Sequence, residues 1–381
     1  MNRKLSRAAL LVTLVGTFEL SATGQDASAP GGEREGVPTF RVDPFWPEMP
    51  DNNWILSEVP GVAVDERDHV WLLQRPRLLT EEETYAATTP PKAECCAPAP
   101  PVLEFDADGR HIQGWGGPGP GYEWPENEHG ITIDHTGSVW ITGNGKNDHQ
   151  ILKFTKAGKF LLQIGRSGQS KGSNDTENFN RPAGVQVYAK TNELFVSDGY
   201  VNRRVIVFDA ATGAYKRHWG AYGNRPDDRA PRTIVSEGRG PAQFNISHAI
   251  RVSNDGLVYV ADRVNKRVQV FKIDGTFVSE VFVGRESRVD RGVPDGLALS
   301  PDPRQQFLYV ADTANSRVWI YNRQTLQPLG HFGRRGRYAG QWMMLHGIAV
   351  DSKGNIYTGE GIVGRRAQKF IFTGLSPVSA R

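Results

Sequence analysis

The sequence predicts an all-β fold, a six-bladed β-propeller of NHL-like repeats with four antiparallel strands per blade. Three observations carry that expectation. A strand-start pattern, a small residue followed by alternating apolar positions, recurs six times. Each copy runs through a turn into a second, aromatic-rich strand. The 381 residues include 42 glycines and few long helical patterns, which suits many short strands joined by turns.

Taken in order, the strand starts are Gly61-Val62-Ala63-Val64, Gly130-Ile131-Thr132-Ile133, Gly184-Val185-Gln186-Val187, Ala249-Ile250-Arg251-Val252, Gly296-Leu297-Ala298-Leu299 and Gly347-Ile348-Ala349-Val350. Second strands follow at Val70-Trp71-Leu72, Val139-Trp140-Ile141, Leu194-Phe195-Val196, Val258-Tyr259-Val260, Leu308-Tyr309-Val310 and Ile356-Tyr357. Third strands are clear at Val205-Ile206-Val207-Phe208, Val268-Gln269-Val270-Phe271 and Val318-Trp319-Ile320-Tyr321. Fourth strands end near Trp115-Gly116, Trp219-Gly220 and Phe332-Gly333. A repeat of roughly 40–70 residues, loops included, marks a propeller, whereas a sandwich would not hold six copies in phase. The sixth copy runs out after its third strand near Phe372, so a segment from about Thr39 to Leu56 is expected to supply its fourth strand and close the ring.

The ends of the chain read separately. Arg3, Lys4 and Arg7 precede an apolar run over 8–20, broken by Glu19, with small residues at Ala27-Ser28-Ala29. That is an export signal over 1–29, followed by a flexible tether over 30–37, the propeller over 38–375 and a tail over 376–381. The protein is then expected to be exported, periplasmic or secreted, and monomeric, with no membrane span. A formal charge of +3 gives no support to nucleic-acid binding.

The two cysteines, Cys95-Cys96, are adjacent. They close no long loop and are too few for a cysteine metal site; a vicinal disulfide and two free thiols both remain open. They sit in a long loop over 76–101, and a second long loop spans 223–241. Loops of this length are either functional lids or plain insertions.

The chemistry is suggested by the residue just before each strand start: Pro60, His129, Ala183, His248, Asp295 and His346. First strands line a propeller's channel, and alternate blades of six stand about 120° apart, so the three histidines are expected to converge on the axis. Three imidazoles with an open position make a catalytic zinc site; iron, nickel or copper also accept such ligands. The remaining histidines share no phase. Arg75 and Arg263 each lie fourteen residues beyond their strand starts, Gly61 and Ala249, and Tyr200 occupies the matching turn of blade 3. Two arginines suit a carboxylate, and a tyrosine near them and a dication is a candidate base with a lowered pKa.

Asp262-Arg263-Val264-Asn265-Lys266-Arg267 and Asp312-Thr313-Ala314-Asn315-Ser316-Arg317 resemble the NHL repeat, in which Asp, Asn and Arg serve the turn; Asp198, Asn202 and Arg204 fall under the same reading. Over most of 58–372 the chain resembles the peptidyl-α-hydroxyglycine α-amidating lyase family, most densely from His129 through Arg263. The resemblance implies a zinc ion on His129, His248 and His346, a catalytic Tyr200, and active-site arginines Arg75 and Arg263. It implies cleavage of the N–C bond of an α-hydroxyglycine-type carbinolamide, giving an amide and glyoxylate. It further implies a calcium ion held by the backbone carbonyls of Val62 and Ile131 and by a carboxylate after the third histidine, where this chain has Gly347. The family's cysteine pairs are absent, with Val201 where one would stand. No copper-monooxygenase segment precedes the propeller in this sequence, so the expected substrates are small carbinolamides or ureido acids, or a peptide with an α-hydroxyglycine-like end. Two other functions compete: a non-enzymatic NHL propeller binding a partner or ligand through its rim, and a metal-dependent hydrolase such as a lactonase, which Asp295 at the channel would suit.

Overall fold

The computed structural model describes residues 36–50, 53–233, 235, 237–289 and 292–377. The expected signal peptide, nearly all of the tether and the last four residues of the tail lie outside the described residues. Six sheets of four antiparallel strands follow one another along the chain, one per expected repeat. Blade 4 shows the unit: Ser247–Val252, Leu257–Asp262, Arg267–Lys272 and Phe277–Phe282, each paired with the next. The other first strands are Gly61–Val64, Glu128–Ile133, Gly184–Tyr188, Gly296–Leu299 and Leu345–Val350. Residues from all six line a narrow axial cavity of about 60 Å³.

The ring closes where expected, with a shorter strand. Val37–Asp43 pairs antiparallel with Ala367–Ser376 and forms the outer edge of blade 6. The rest of the expected closing segment does other work. Trp46 packs against Phe105 and Tyr357, and Trp54–Ile55 pairs in parallel with Ala97–Pro98 of the long loop in blade 1.

Turns are fixed by aspartates that the repeat supplies. Asp65 accepts the amides of Arg67 and His69 and the indole N–H of Trp71 at 3.2 Å. Asp134 does the same for Thr136, Ser138 and Trp140, the indole at 2.8 Å. A carboxylate in such a turn satisfies several amides at once and bolts the second strand's aromatic ring to the first. Between blades the facing side chains form the core: Phe195 and Trp219 of blade 3 pack with Ile250, Val258 and Phe271 of blade 4. Each fully buried apolar side chain of this kind contributes roughly 1.5–3 kcal/mol.

The NHL-type residues act structurally. Asp198 and Arg204 are fully buried and paired at 2.9 Å, and Arg204 also donates to the carbonyls of Ser173 and Asn178. Arg267 and Asp262 repeat the pair at 2.8 Å. Both arginines bridge neighbouring strands, pairing across to the aspartate of the second strand, with Arg267 also 3.2 Å from Glu280 of the fourth, and both reach the loop leading into their own blade.

The two long loops pack onto the rim. The first is tied to blade 6 by Arg365, which donates twice to Glu83 at 2.7 and 2.9 Å, and to blade 2 by Arg77 on Asn127. In it Cys95 and Cys96 are bonded to each other. The second is held by Arg203 on the carbonyls of Asp227 and Ala230, and its Arg232 donates to the carbonyl of Val201. Among the described residues no helix is long and apolar enough to cross a membrane.

Candidate metal centre

The three histidine-bearing strands differ from their neighbours in one respect. Blades 1, 3 and 5 begin regular pairing at Gly61, Gly184 and Gly296, whereas pairing in blades 2, 4 and 6 starts earlier and slips at the histidine. Glu128 faces Gly143 and Gly130 faces Thr142, which leaves His129 in a bulge. His346 is bypassed in the same way between Leu345 and Gly347. A bulge re-aims a side chain that a regular strand would direct elsewhere.

The bulges bring the three imidazoles together. Their ring centroids are 4.8, 4.8 and 4.9 Å apart, with planes at 77–82° to one another. One ring nitrogen of each lies within 4.8 Å of the others, a set able to hold a metal ion.

Each ring is fixed from behind by the next blade. His129 donates Nδ1–H to the carbonyl of Ala183 at 2.8 Å, His248 to Asp295 at 2.7 Å, and His346 to Pro60 at 2.7 Å. These acceptors are the three non-histidine residues of the six strand leads. Such bonds set the tautomer and point an unprotonated Nε2 at the axis. They need strands in close contact, and glycine permits it: a Cβ on Gly130 would stand 2.5 Å from the Ala183 carbonyl, and one on Gly296 2.7 Å from that of His346. Burial pushes the pKa of all three histidines down, helped at His129 and His248, which fall well below 6.5, by neighbouring imidazole and arginine groups, and at His346 by Arg263 and Arg75 against the pull of Asp295.

Tyr200 stands over this cluster. Its hydroxyl is 2.9 Å from His129 Nε2 and 3.0 Å from His248 Nε2, and accepts from Arg263 Nη1 at 3.4 Å. The sequence led us to expect a lowered tyrosine pKa. With the protein's own groups alone it is raised: burial outweighs the opposing pull of Arg263, Arg75 and an Asn144 hydrogen bond, and Asp295 adds to the rise.

The arginines are less free than the sequence suggested. Arg75 donates Nε–H to the Glu128 carbonyl at 2.7 Å, Nη1–H to Glu58 at 2.6 Å and Nη2–H to Asn144 Oδ1 at 3.4 Å. Arg263 pairs through Nε with the buried Asp295 carboxylate at 2.7 Å. Asp295 thus faces an arginine instead of serving as a fourth ligand. Glu58, Asn144 and the three carbonyl acceptors were not found in the sequence. The alternation of the six strand-lead positions was the one available signal for the carbonyls.

Two further ion sites are disfavoured by the residues present. Asp65, His69 and Glu104 lie close together, but Lys156 and Arg67 already fill that cluster, 2.8 Å from Asp65 and 2.9 Å from Glu104. The calcium set of Val62, Ile131 and residue 347 lines the axial cavity, but Gly347 offers no carboxylate and the guanidinium of Arg251 lines that same cavity.

The chain resembles known proteins in both sequence and fold. The NHL repeat matches residues 244–271. Mouse peptidyl-glycine alpha-amidating monooxygenase is 30% identical over 341 residues, 82% of this chain and 30% of that protein. Human NHL repeat-containing protein 3 is 28% identical over 346 residues, 87% of this chain and 84% of its own. A Caenorhabditis elegans protein described as "Probable peptidyl-alpha-hydroxyglycine alpha-amidating lyase" is 32% identical over 174 residues, 45% of this chain and 41% of its own. The chain spans under a third of the length of the amidating monooxygenases it matches. A solved streptogramin B lyase shares the fold, with TM-score 0.51 and 13% identity over 90% of this chain and 100% of that one. The chain is a relative of the peptidyl-α-hydroxyglycine α-amidating lyases, built as an NHL-repeat six-bladed propeller.

Proposed function

We propose that the chain is a zinc-dependent carbon–nitrogen lyase. Its substrate is an α-hydroxyglycine-type carbinolamide, R–CO–NH–CH(OH)–COO⁻, and its products are the amide R–CO–NH₂ and glyoxylate. The observation that carries this reading is the Tyr200 hydroxyl, set within 3.0 Å of two converging imidazole nitrogens and beside Arg263.

The donor set fits zinc: three imidazoles kept neutral by burial, each with its Nδ1–H bonded to a carbonyl. When bound there, zinc supplies Lewis acidity that makes a hydroxyl group placed against it easier to deprotonate. Burial outweighs the pull of Arg263 and Arg75 on Tyr200, so its ionisation would need the added charge of a dication on the histidines; as phenolate, Tyr200 would take the substrate hydroxyl proton. As the C–O bond becomes a carbonyl, the C–N bond breaks and its electron pair stays on nitrogen. Tyr200 returns the proton to that nitrogen, so the reaction balances without water or a redox partner. Arg263 and Arg75 attract the substrate carboxylate. Arg75, tied at all three nitrogen atoms, contributes charge and position more than an open fork.

The test is glyoxylate release from α-hydroxyhippurate by purified protein, before and after chelation and with zinc restored. Absence of metal-dependent release would count against the lyase. The likeness to NHL repeat-containing protein 3 over nearly the whole of both chains supports a second reading, a partner-binding propeller. That reading expects His129→Ala to leave ligand binding intact. An exported, monomeric protein acting on a small or peptide-like substrate fits the leader-like N-terminus and the rim-bound loops.

A further inference from the structure

Arg251 lies on the first strand of blade 4, three residues beyond His248. Its side chain lines both the cavity of about 60 Å³ beneath the histidines and a wider one of about 240 Å³ farther along the axis. Burial alone pushes its pKa down to about 10, which leaves it charged at neutral pH. Its hydrogen bonds go to backbone: Nη1–H to the Ile250 carbonyl at 2.8 Å and Nη2–H to the Ile348 carbonyl at 3.4 Å, the latter on blade 6.

Arg251 is part-buried, and a largely desolvated charge is costly, so a guanidinium persists there only if its surroundings act as a counter-charge. First-strand carbonyls do this, and they are the same type of donor that a calcium ion would require. Such an ion does not fit beside it. Calcium sites draw on carboxylates, and position 347 is glycine, where an added Cβ would lie 2.9 Å from the Pro60 carbonyl and 3.2 Å from the Val62 nitrogen. The Pro60 carbonyl is already taken by His346. A dication in this cavity would also face the like charge of Arg251.

We propose that Arg251 is the built-in cation of the axial channel, bridging blades 4 and 6 through main-chain carbonyls, so that the propeller holds together without calcium. The assignment stands apart from the lyase activity, because it concerns the channel behind the histidines.

The experiment strips the full chain of metal, refills it with zinc alone or with zinc plus millimolar calcium, and records thermal unfolding. The two midpoints are expected to coincide. Arg251→Met is expected to lower the midpoint by at least about 3 °C. A calcium-dependent midpoint in wild type, or an Arg251→Met protein as stable as wild type, overturns the proposal. If Arg251→Met does not fold, Arg251→Lys replaces it; lysine keeps the charge but not the two-pronged reach, and an unchanged midpoint would again refute the bridge. If zinc itself produces no rise, the metal reading of the histidines fails while the calcium comparison still decides the role of Arg251.

Discussion

His346 donates its Nδ1–H to the carbonyl of Pro60, 2.7 Å away and 286 residues earlier in the chain. One bond thereby orients the third imidazole and joins the last blade to the first. Because the same bond recurs from His129 to Ala183 and from His248 to Asp295, the site is set by the ring itself.

His346→Ala therefore separates site from fold. Loss of one of three ligands should cost more than a typical outer-shell change, so bound zinc and glyoxylate release should each fall on the order of 100-fold or more. The β-sheet circular dichroism should be unchanged, because the strand pairs through Leu345 and Gly347 on either side of the histidine. Metal analysis and the lyase assay on the same preparation check both.

Tyr200→Phe should divide the two properties differently. The variant removes the hydroxyl that faces His129 and His248 but none of the nitrogens. Zinc content should match wild type while turnover falls by roughly 10²–10⁴-fold. Equal loss of metal and activity would instead make the hydroxyl part of the binding site.

Much of this was legible because a propeller converts sequence phase into spatial position. His129, His248 and His346 share one phase, so the fold had to set them at one height around the axis. Tyr200 and Arg263 also came together from their phase. The partners of those residues were hidden for a physical reason. A backbone carbonyl such as that of Ala183 carries no side-chain signature, and its distance to His129 depends on a bulge and a glycine contact visible only once strands are paired. The raised pKa of Tyr200 was missed because sequence shows nearby charges but not burial, and here burial is the larger influence. The closing strand, Val37–Asp43, was displaced from the expected 39–56 because the pattern continued into residues that anchor the blade 1 loop.

The buried arginine–aspartate pairs should dominate stability. Arg204 and Asp198 are both inaccessible to solvent, so Arg204→Met strands a buried carboxylate and should cost about 3–5 kcal/mol. Arg317 is 28% exposed and 3.9 Å from Asp312, so Arg317→Met should cost about 0–1 kcal/mol. Denaturant unfolding of the two variants gives the contrast directly; similar losses would show that the repeat's arginines act by some means other than burial of the pair.

Acid should act on blade 3 through Glu193. Arg217 grips this carboxylate with two bonds of 2.8 Å, with Lys216 at 3.3 Å, and holds its pKa at about 2 instead of 4.5. The unfolded chain takes up the proton first, so the stability from this contact is fully present above 4.5 and drains away as pH falls toward about 2. Glu193→Gln removes the charge at every pH. It should therefore be less stable than wild type at neutral pH, with the gap narrowing steadily between about pH 4.5 and pH 3. Unfolding midpoints for both proteins across that range measure the gap, and a difference that stays constant on acidification would mean that Glu193 stabilises the blade by packing and not by its charge.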